Sequence, residues 1–294
     1  MKKKIQQMND IRFVFFGTAP LAIDILDALE HAGYIPSLIV AGPDSLEPRK
    51  KTVVLPPEKV WALERSIEVM QPKKIDTAFI ASLKKSPWDI FVVASYGKIL
   101  PKSLLDIPKH GVLNVHPSLL PRLRGPSPIR SAILNDDRNI GVSIIVLDEQ
   151  MDHGPIIAQK TVSFEDWPPC GRDLDALLAQ EGGRLLAEYM PKWVRGEISA
   201  HEQNHDLATY CYMIKKEDGL IDLNADAYQN LLKIRAYDGW PGTYALFEKD
   251  DREMRVKILD ALIVCDALEI LRVIPEGKKE MSYKEFLRSG AKPL

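Results

Sequence analysis

The sequence predicts an open α/β fold, a mostly parallel β-sheet covered by helices, followed by a small β-rich domain. In the first two thirds of its 294 residues, short and almost continuously apolar segments alternate with segments of helical periodicity. Continuous apolarity is typical of strands buried on both faces, as in a parallel sheet covered by helices. From Thr243 onwards, short apolar segments are separated by polar turns. This second pattern is typical of an antiparallel β domain, and we expect a partial barrel there.

Apolarity, segment length and end residues assign the elements of the first part. Helical spacing occurs between the predicted strands, and several of these helices begin with a proline, whose missing N–H is not needed in the first turn. The predicted strands are Ile11–Phe16, Ser37–Ala41, Trp88–Ser95, Gly111–His116, Gly141–Asp148 and Ile157–Phe164. The predicted helices are Pro20–Ala32, Pro56–Ser66, Ile75–Lys84, Pro126–Asn135 and Gly171–Tyr189.

A polar connector around Gly196–His205 separates this part from the β-rich end of the chain. Strands are predicted there at Thr243–Phe247, Met254–Val264 and Ala267–Val273. We therefore expect a catalytic domain over residues 1–190, a linker over 191–208 and a C-terminal domain over 209–294. In an open α/β sheet, the ligand site lies beyond the carboxyl ends of the strands.

Composition excludes several classes of protein. The 39 Lys and Arg residues nearly balance the 41 Asp and Glu residues, for a net charge of -2, so a polyanionic partner must be held by local patches. Cys170, Cys211 and Cys265 form no CxxC pair, and we expect neither a disulfide framework nor a metal site. No segment has the signal-peptide pattern or approaches the roughly 18 apolar residues of a membrane span. We expect a soluble, cytoplasmic protein.

The strongest candidate site lies in the centre of the chain, at the end of the strand predicted over Gly111–His116. Asn114 and His116 are two residues apart and therefore face the same side of that strand. The next predicted strand leads into an acidic turn that contains Asp148 and Asp152. A carboxylate beside an imidazole orients it and favours its charged form, and an amide N–H stabilises a developing oxyanion. These residue types predict acyl transfer with Asn114, His116 and Asp152 as catalytic residues.

Three other interpretations of the sequence fit less well. Gly17, between a predicted strand and helix, suits a dinucleotide loop, but the GxGxxG spacing is absent. A hydrolase triad of Ser118, His116 and Asp152 lacks the GxSxG turn that exposes a nucleophile. A metal site built from His116, Asp152 and His153 requires two sequence neighbours to point the same way.

At these residues the sequence resembles the folate-dependent formyltransferases. The family's Asn-x-His and Ser-Leu-Leu-Pro motifs, its opening strand-turn motif and its Tyr-Gly motif are all present, and similarity continues to the C-terminus. The matching segments are Phe15–Ala22, Tyr96–Pro101, Asn114–Pro121, Gly141–Ile144, Asp152–Gly154, Lys215–Asp222, Arg235–Pro241 and Gly277–Gly290. The last three segments resemble the branch of the family that acts on tRNA.

The resemblance implies a Rossmann-like formyltransferase fold followed by an OB-like barrel, which we expect to be shortened because the segment between Leu262 and Leu268 is brief. It implies transfer of a formyl group from 10-formyltetrahydrofolate to the α-amine of methionine on initiator tRNA. Independently of the resemblance, we expect a monomer as the simplest state. It also implies that certain residues hold the folate, namely Tyr96, Gly97, Ser118, Leu119, Leu120, Pro121 and Asp148. A basic loop, Arg49, Lys50 and Lys51, is implied to contact tRNA.

Three alternatives to this function stay open at the level of sequence. A related formyltransferase acting on a nucleotide-linked amino sugar would use the same Asn, His and Asp. A formyltetrahydrofolate hydrolase would use water as the acceptor. The third alternative is a non-catalytic RNA-binding relative, which the presence of all three proposed catalytic residues makes the weakest.

Overall fold

The computed structural model describes residues 11–18, 21–46 and 52–294, and the chain divides into two compact units. The first unit contains Met1–Arg124, Ile140–Val162 and Asp175–Tyr210, and the second contains Gly125–Asn139, Ser163–Leu174 and Cys211–Leu294. Each unit is therefore assembled from separate stretches of sequence. The domain boundaries predicted at residues 190 and 208 stay a prediction.

Among the described residues, a seven-stranded sheet forms the centre of the first unit. Its spatial order is β5–β2–β1–β6–β7–β8–β9, and its strands are parallel from β5 to β7. The strands of this unit, including a separate two-stranded ladder of β3 and β4, are β1 (Phe13–Gly17), β2 (Leu38–Val40), β3 (Ser45–Leu46), β4 (Val53–Val54), β5 (Glu68–Met70), β6 (Ile90–Ala94), β7 (Val112–His116), β8 (Ile140–Val146) and β9 (Ile156–Val162). The open, mostly parallel α/β fold predicted from the sequence is confirmed.

Local sequence favours several of the helices in the first two thirds of the chain. Helix α1 (Leu21–His31) buries one apolar face, α2 (Pro57–Glu64) has proline at its start, and α3 (Thr77–Leu83) is capped by Asp76, whose carboxylate accepts from the Phe79 N–H. The others are α4 (Lys102–Leu105), α5 (Pro128–Leu134) and α6 (Gly171–Val194). Strand β5 and helix α4 were not predicted, because three or four residues are too few to show a period.

The last two strands of this sheet run antiparallel to their neighbours, unlike the parallel strands that their apolarity suggested. Strand β8 pairs with β7 in the register Leu113 opposite Val146 and His116 opposite Ser143, and β9 is antiparallel to β8. The carboxyl end of β8 therefore lies beside the amino end of β7. Apolarity reports burial on both faces but carries no information about strand direction, so the sequence pattern could not distinguish the two.

The second unit contains a five-stranded antiparallel sheet, counted over the described residues. The spatial order of its strands is β13–β12–β11–β10–β14. These strands are β10 (Thr243–Lys249), β11 (Arg252–Val264), β12 (Ala267–Pro275), β13 (Met281–Ser282) and β14 (Lys292–Pro293), and the same part of the chain forms helices α7 (Ala227–Ala236) and α8 (Tyr283–Leu287). Phe247 and Phe286 meet edge to face in its core, with ring centroids 5.1 Å apart. The predicted C-terminal β domain is confirmed, while its description as a shortened OB-like barrel stays a prediction. In the part of the chain that is described, no helix is long and apolar enough to span a membrane.

Candidate functional site

The structure brings Asn114, His116 and Asp152 together in the first unit. Asn114 and His116 lie on β7, where alternation places both side chains on one face of the sheet. Asn114 Nδ2 donates to Asp152 Oδ1 over 3.5 Å, and His116 Nδ1 lies 3.6 Å from the same oxygen. Asn114 is 9% exposed and His116 is 4% exposed. The three side chains thus form one cluster that is largely shielded from water.

The other ring nitrogen of His116 fixes how the imidazole is protonated. His116 Nε2 lies 3.0 Å from the Leu123 carbonyl oxygen. A carbonyl can only accept, so Nε2 carries the proton of this hydrogen bond. In the neutral imidazole, Nδ1 is then the basic nitrogen, and Nδ1 is the atom that faces Asp152. The arrangement can therefore take up a proton at Nδ1 beside a carboxylate.

Asp152 lies in a tight turn that follows the carboxyl end of β8 and brings its side chain next to β7. Asp152 has a φ of 50°, in the left-handed region that aspartate tolerates better than most residues. A Cβ on Gly154 would lie 1.8 Å from the Val146 carbonyl oxygen, so only glycine permits this close approach. Asp148, at the start of the turn, accepts from the Gln150 N–H over 2.8 Å and contacts His153 Nδ1 at 2.6 Å.

The loop after β7 is held by hydrogen bonds rather than by apolar packing alone. The Ser118 hydroxyl donates to the Arg122 carbonyl over 2.7 Å, closing the loop across four residues. The Ser143 hydroxyl donates to the Ser118 carbonyl, and the Leu120 N–H donates to the Ser143 oxygen. Gln159 adds a bond from Nε2 to the Leu120 carbonyl over 2.8 Å. Since the Ser118 proton is used within its own loop, the geometry does not favour a hydrolase triad with Ser118 as nucleophile.

Tyr96 and Gly97 follow the carboxyl end of β6, as expected for ligand-site residues of an open α/β sheet. The Tyr96 ring packs edge to face against Phe16, with centroids 5.6 Å apart. Its hydroxyl is buried and has no hydrogen-bond partner among the described residues, and burial raises the pKa of Tyr96 to about 12. A protonated phenol beside an apolar surface is able to donate to a polar atom of a flat ligand.

The sequence did not predict that two residues, Arg124 and Gln203, together hold the main chain of the Asp152 turn. Arg124 is 2% exposed, and its guanidinium donates to Gln203 Oε1. Gln203 in turn contacts the main chain of Asp152 and Gly154. Both are polar residues in loops, and neither carries a periodic or motif signal, because their burial arises only when distant segments meet.

Two further points concern the predicted tRNA contacts and metal binding. Arg49, Lys50 and Lys51, which we expect to contact tRNA, lie outside the described residues. Within the ranges that the structure describes, no group of three or more His, Cys, Asp or Glu side chains is arranged to hold a metal ion.

Comparison with protein families assigns both parts of the chain to one class. A family model described as formyl transferase matches residues 11–166, which contain Asn114, His116 and Asp152. A second model, described as formyl transferase, C-terminal domain, matches residues 213–267. The fold and this site thus define a formyl transferase, and the resemblance stated from the sequence is confirmed.

Similar proteins narrow the class further. Methionyl-tRNA formyltransferase from Chloroflexus aggregans is 37% identical over 94% of this chain and 96% of that protein. Among solved structures, methionyl-tRNA formyltransferase from Clostridium thermocellum has a TM-score of 0.60 at 15% identity, covering 90% of this chain and 98% of that one. An N-formyltransferase from Helicobacter canadensis, in complex with folinic acid and dTDP-3-aminofucose, has a TM-score of 0.64 at 16% identity, covering 92% and 98%. The two structures show a shared fold. The chain belongs to the methionyl-tRNA formyltransferase family, and it is a formyl-transferring enzyme.

Proposed function

We propose that this chain transfers the formyl group of 10-formyltetrahydrofolate to the α-amine of methionine on initiator tRNA, giving N-formylmethionyl-tRNA for translation initiation. The observation that carries the proposal is the convergence of Asn114, His116 and Asp152 on one buried spot. Membership in the methionyl-tRNA formyltransferase family selects the acceptor, since its members are named for that substrate. We further propose that the enzyme works in the cytoplasm as a monomer.

Asn114 stabilises the charge that develops on the formyl oxygen. When the amine attacks the formyl carbon, the C=O bond opens and its oxygen becomes negative. A carboxamide has two N–H donors, and Asn114 uses one of them toward Asp152. No described residue accepts a hydrogen bond from the second N–H, which can therefore donate to the formyl oxygen. Donors of this kind contribute about 2.7–4 kcal/mol to transition-state stabilisation in other enzymes.

His116 carries the proton that is transferred during the reaction, and Asp152 stabilises the protonated imidazole. A C–N bond forms to the methionine amine, the bond to folate N10 breaks, and one proton passes from the amine to the leaving nitrogen. Nδ1 of His116 holds this proton, because Nε2 is committed to the Leu123 carbonyl. Asp152, at 3.6 Å, stabilises the imidazolium that results. Positioned acid–base groups contribute roughly 10²–10⁴-fold to rate.

The folate is held by residues around the same cluster. The flat pterin ring fits the apolar surface beside Tyr96 and Gly97, where the Tyr96 hydroxyl, which no described residue contacts by a hydrogen bond, offers a donor. We assign the remaining contacts to the loop Ser118–Leu119–Leu120–Pro121 and to the turn that begins at Asp148. The basic residues Arg49, Lys50 and Lys51 supply cations for tRNA phosphates, which is the usual basis of such contacts.

A transfer assay with three acceptors tests this function. Purified protein and 10-formyltetrahydrofolate are incubated with methionyl-initiator-tRNA, with a nucleotide-linked amino sugar, or with no acceptor. We expect formylmethionyl-tRNA at catalytic rates in the first reaction alone. Folate consumption with only the sugar, or without an acceptor, would assign the chain to sugar formylation or to hydrolysis instead.

Two histidine substitutions, one in the site and one outside it, test whether that activity depends on the site. His116→Ala should lower turnover by roughly 10²–10⁴-fold, since it removes the proton carrier. His31→Ala is the matched control, because this exposed imidazole lies at the end of α1 and contacts the Asp27 carbonyl there. Turnover by His116→Ala within a few-fold of the wild-type enzyme would refute the mechanism. Circular dichroism of both variants checks that the fold is retained.

A further inference from the structure

One buried side-chain amide, that of Gln203, has both of its N–H donors directed at the turn that carries Asp152. Gln203 is 5% exposed and lies in the connector that follows α6. Its Nε2 donates to the Asp152 carbonyl over 2.8 Å and to the Gly154 carbonyl over 2.7 Å. A carboxamide nitrogen has two hydrogens, so these two bonds use both of them. A single side chain thus holds the main chain on both sides of His153.

Arg124 determines which way this amide points. Arg124 donates to Gln203 Oε1 from Nε over 3.1 Å and from Nη2 over 2.6 Å. A guanidinium can only donate, so the amide oxygen must face Arg124 and the NH₂ group must face the turn. Arg124 Nη2 also bonds to His205 Nδ1 over 2.8 Å. The orientation of Gln203 is therefore fixed by a buried cation rather than by packing.

The chain shortly after this connector, at Thr209, also supports the residue that contacts His116. The Leu123 carbonyl accepts from His116 Nε2, and the Leu123 N–H donates to the Thr209 hydroxyl over 2.9 Å. The Arg124 N–H donates to the Thr209 carbonyl over 2.8 Å. Gln203 thus bonds to the main chain of Asp152, and Thr209 bonds to the main chain of Leu123, whose carbonyl contacts His116.

We propose that Gln203, oriented by Arg124, is a positioning residue that sets the distance between the Asp152 carboxylate and His116 Nδ1. The inference rests on the proposed role of Asp152 and extends it to a residue that touches neither substrate. Asp152 has left-handed backbone geometry, and its turn passes close to the Val146 carbonyl. The two Gln203 bonds hold the main chain of that turn at Asp152 and Gly154. Displacements of about 1 Å in a catalytic group lower rates by about 10²-fold.

Gln203→Glu isolates the two donor bonds from the rest of the network. The carboxylate keeps an oxygen for Arg124 but has no hydrogen for the Asp152 and Gly154 carbonyls. We expect kcat to fall by 10–100-fold, with the KM for tRNA and for the formyl donor changed by less than about threefold. Gln203→Met, which removes donors and acceptor together, provides a second variant if the new carboxylate disturbs folding.

Gln71→Met is the matched control for loss of an amide network. Gln71 Nε2 donates to the Gly42 carbonyl and to Asp44, and its oxygen accepts from Lys59, which is the same pattern of one cation and two acceptors. It should change melting temperature without changing kcat. A comparable fall in kcat in this variant would mean that general loosening of the first unit explains the Gln203 effect, and would overturn the inference.

A double-mutant cycle with Asp152→Ala separates the inference from the proposed function. We expect Gln203→Glu to cause no further loss of kcat when Asp152 is already alanine, and the pH profile of kcat/KM for Gln203→Glu to move toward that of Asp152→Ala. Losses that multiply, or wild-type kcat in Gln203→Glu while Asp152→Ala is inactive, would overturn the positioning role alone. Wild-type kcat in Asp152→Ala would overturn the role of Asp152 and the inference together.

Discussion

Replacing Gly154 with alanine tests whether the shape of the acidic turn controls activity. The added Cβ would lie 1.8 Å from the Val146 carbonyl oxygen, whereas ordinary van der Waals contact begins at 3.4 Å, so the two atoms must separate by about 1.6 Å. Val146 cannot move freely, because its N–H donates to the Pro155 carbonyl and the residue lies opposite Leu113. The turn must therefore shift instead.

A shift of that size displaces Asp152, two residues earlier in the same turn. We expect kcat to fall by about 10²-fold, since misplacing a catalytic group by 1 Å has about this effect. Forcing an extra methyl group into a packed site also destabilises proteins by about 1–3 kcal/mol, which corresponds to a fall of roughly 2–4 °C in melting temperature per kcal/mol. Single-turnover formylation of methionyl-tRNA measures the first effect, and thermal denaturation measures the second.

Gly42→Ala provides the matched control for this substitution. Among the described residues, its Cβ would meet only the Thr18 methyl group, at the ordinary contact distance of 3.5 Å, and its φ lies outside the left-handed region. An alanine that fits without strain stabilises by about 0.4–1 kcal/mol through the unfolded state. Wild-type kcat and melting temperature in Gly154→Ala would refute the argument, because they would show that the turn tolerates a side chain at this point.

Three other substitutions have outcomes that follow from the described contacts. Asn114→Ala should lower the single-turnover rate by about 10²–10³-fold and leave the melting temperature nearly unchanged; a loss below about threefold would exclude an oxyanion role. Burial raises the pKa of Tyr96 to about 12 from 10.0, so the folded state keeps a proton that the unfolded chain loses. The stability that the protonated Tyr96 phenol contributes is present below pH 10 and is lost as pH rises toward 12. Tyr96→Phe should therefore reduce the loss of stability at alkaline pH, measured by urea unfolding. The Lys160 ammonium lowers the pKa of Glu181 from 4.5, with Arg184 as a second partner. Glu181→Gln should therefore destabilise the protein near pH 7 and lose this effect as pH falls below 4.5, and an equal deficit at both pH values would contradict the assignment.

Local sequence determined most strands of the sheet and the placement of Asn114 and His116 in the site. Asn114 and His116 are two residues apart on an apolar strand, and strand alternation alone places them on one face. Asp76, at the start of α3, caps that helix through a bond within three residues. These features depend on neighbours along the chain, so their physical causes are readable from residue order.

Only the tertiary structure decided how the other half of the site is assembled. The antiparallel direction of β8 sends the acidic turn back across the sheet, and the apolar strand pattern is the same for either direction. Arg124 and Gln203 are 79 residues apart, and their bond exists because the connector returns to the loop after β7. Hydrogen bonds between distant loops have no period and no fixed spacing, since loop lengths vary without changing the contact. The sequence alone therefore determined which groups do the proposed chemistry, and the folded chain determined what holds them in place.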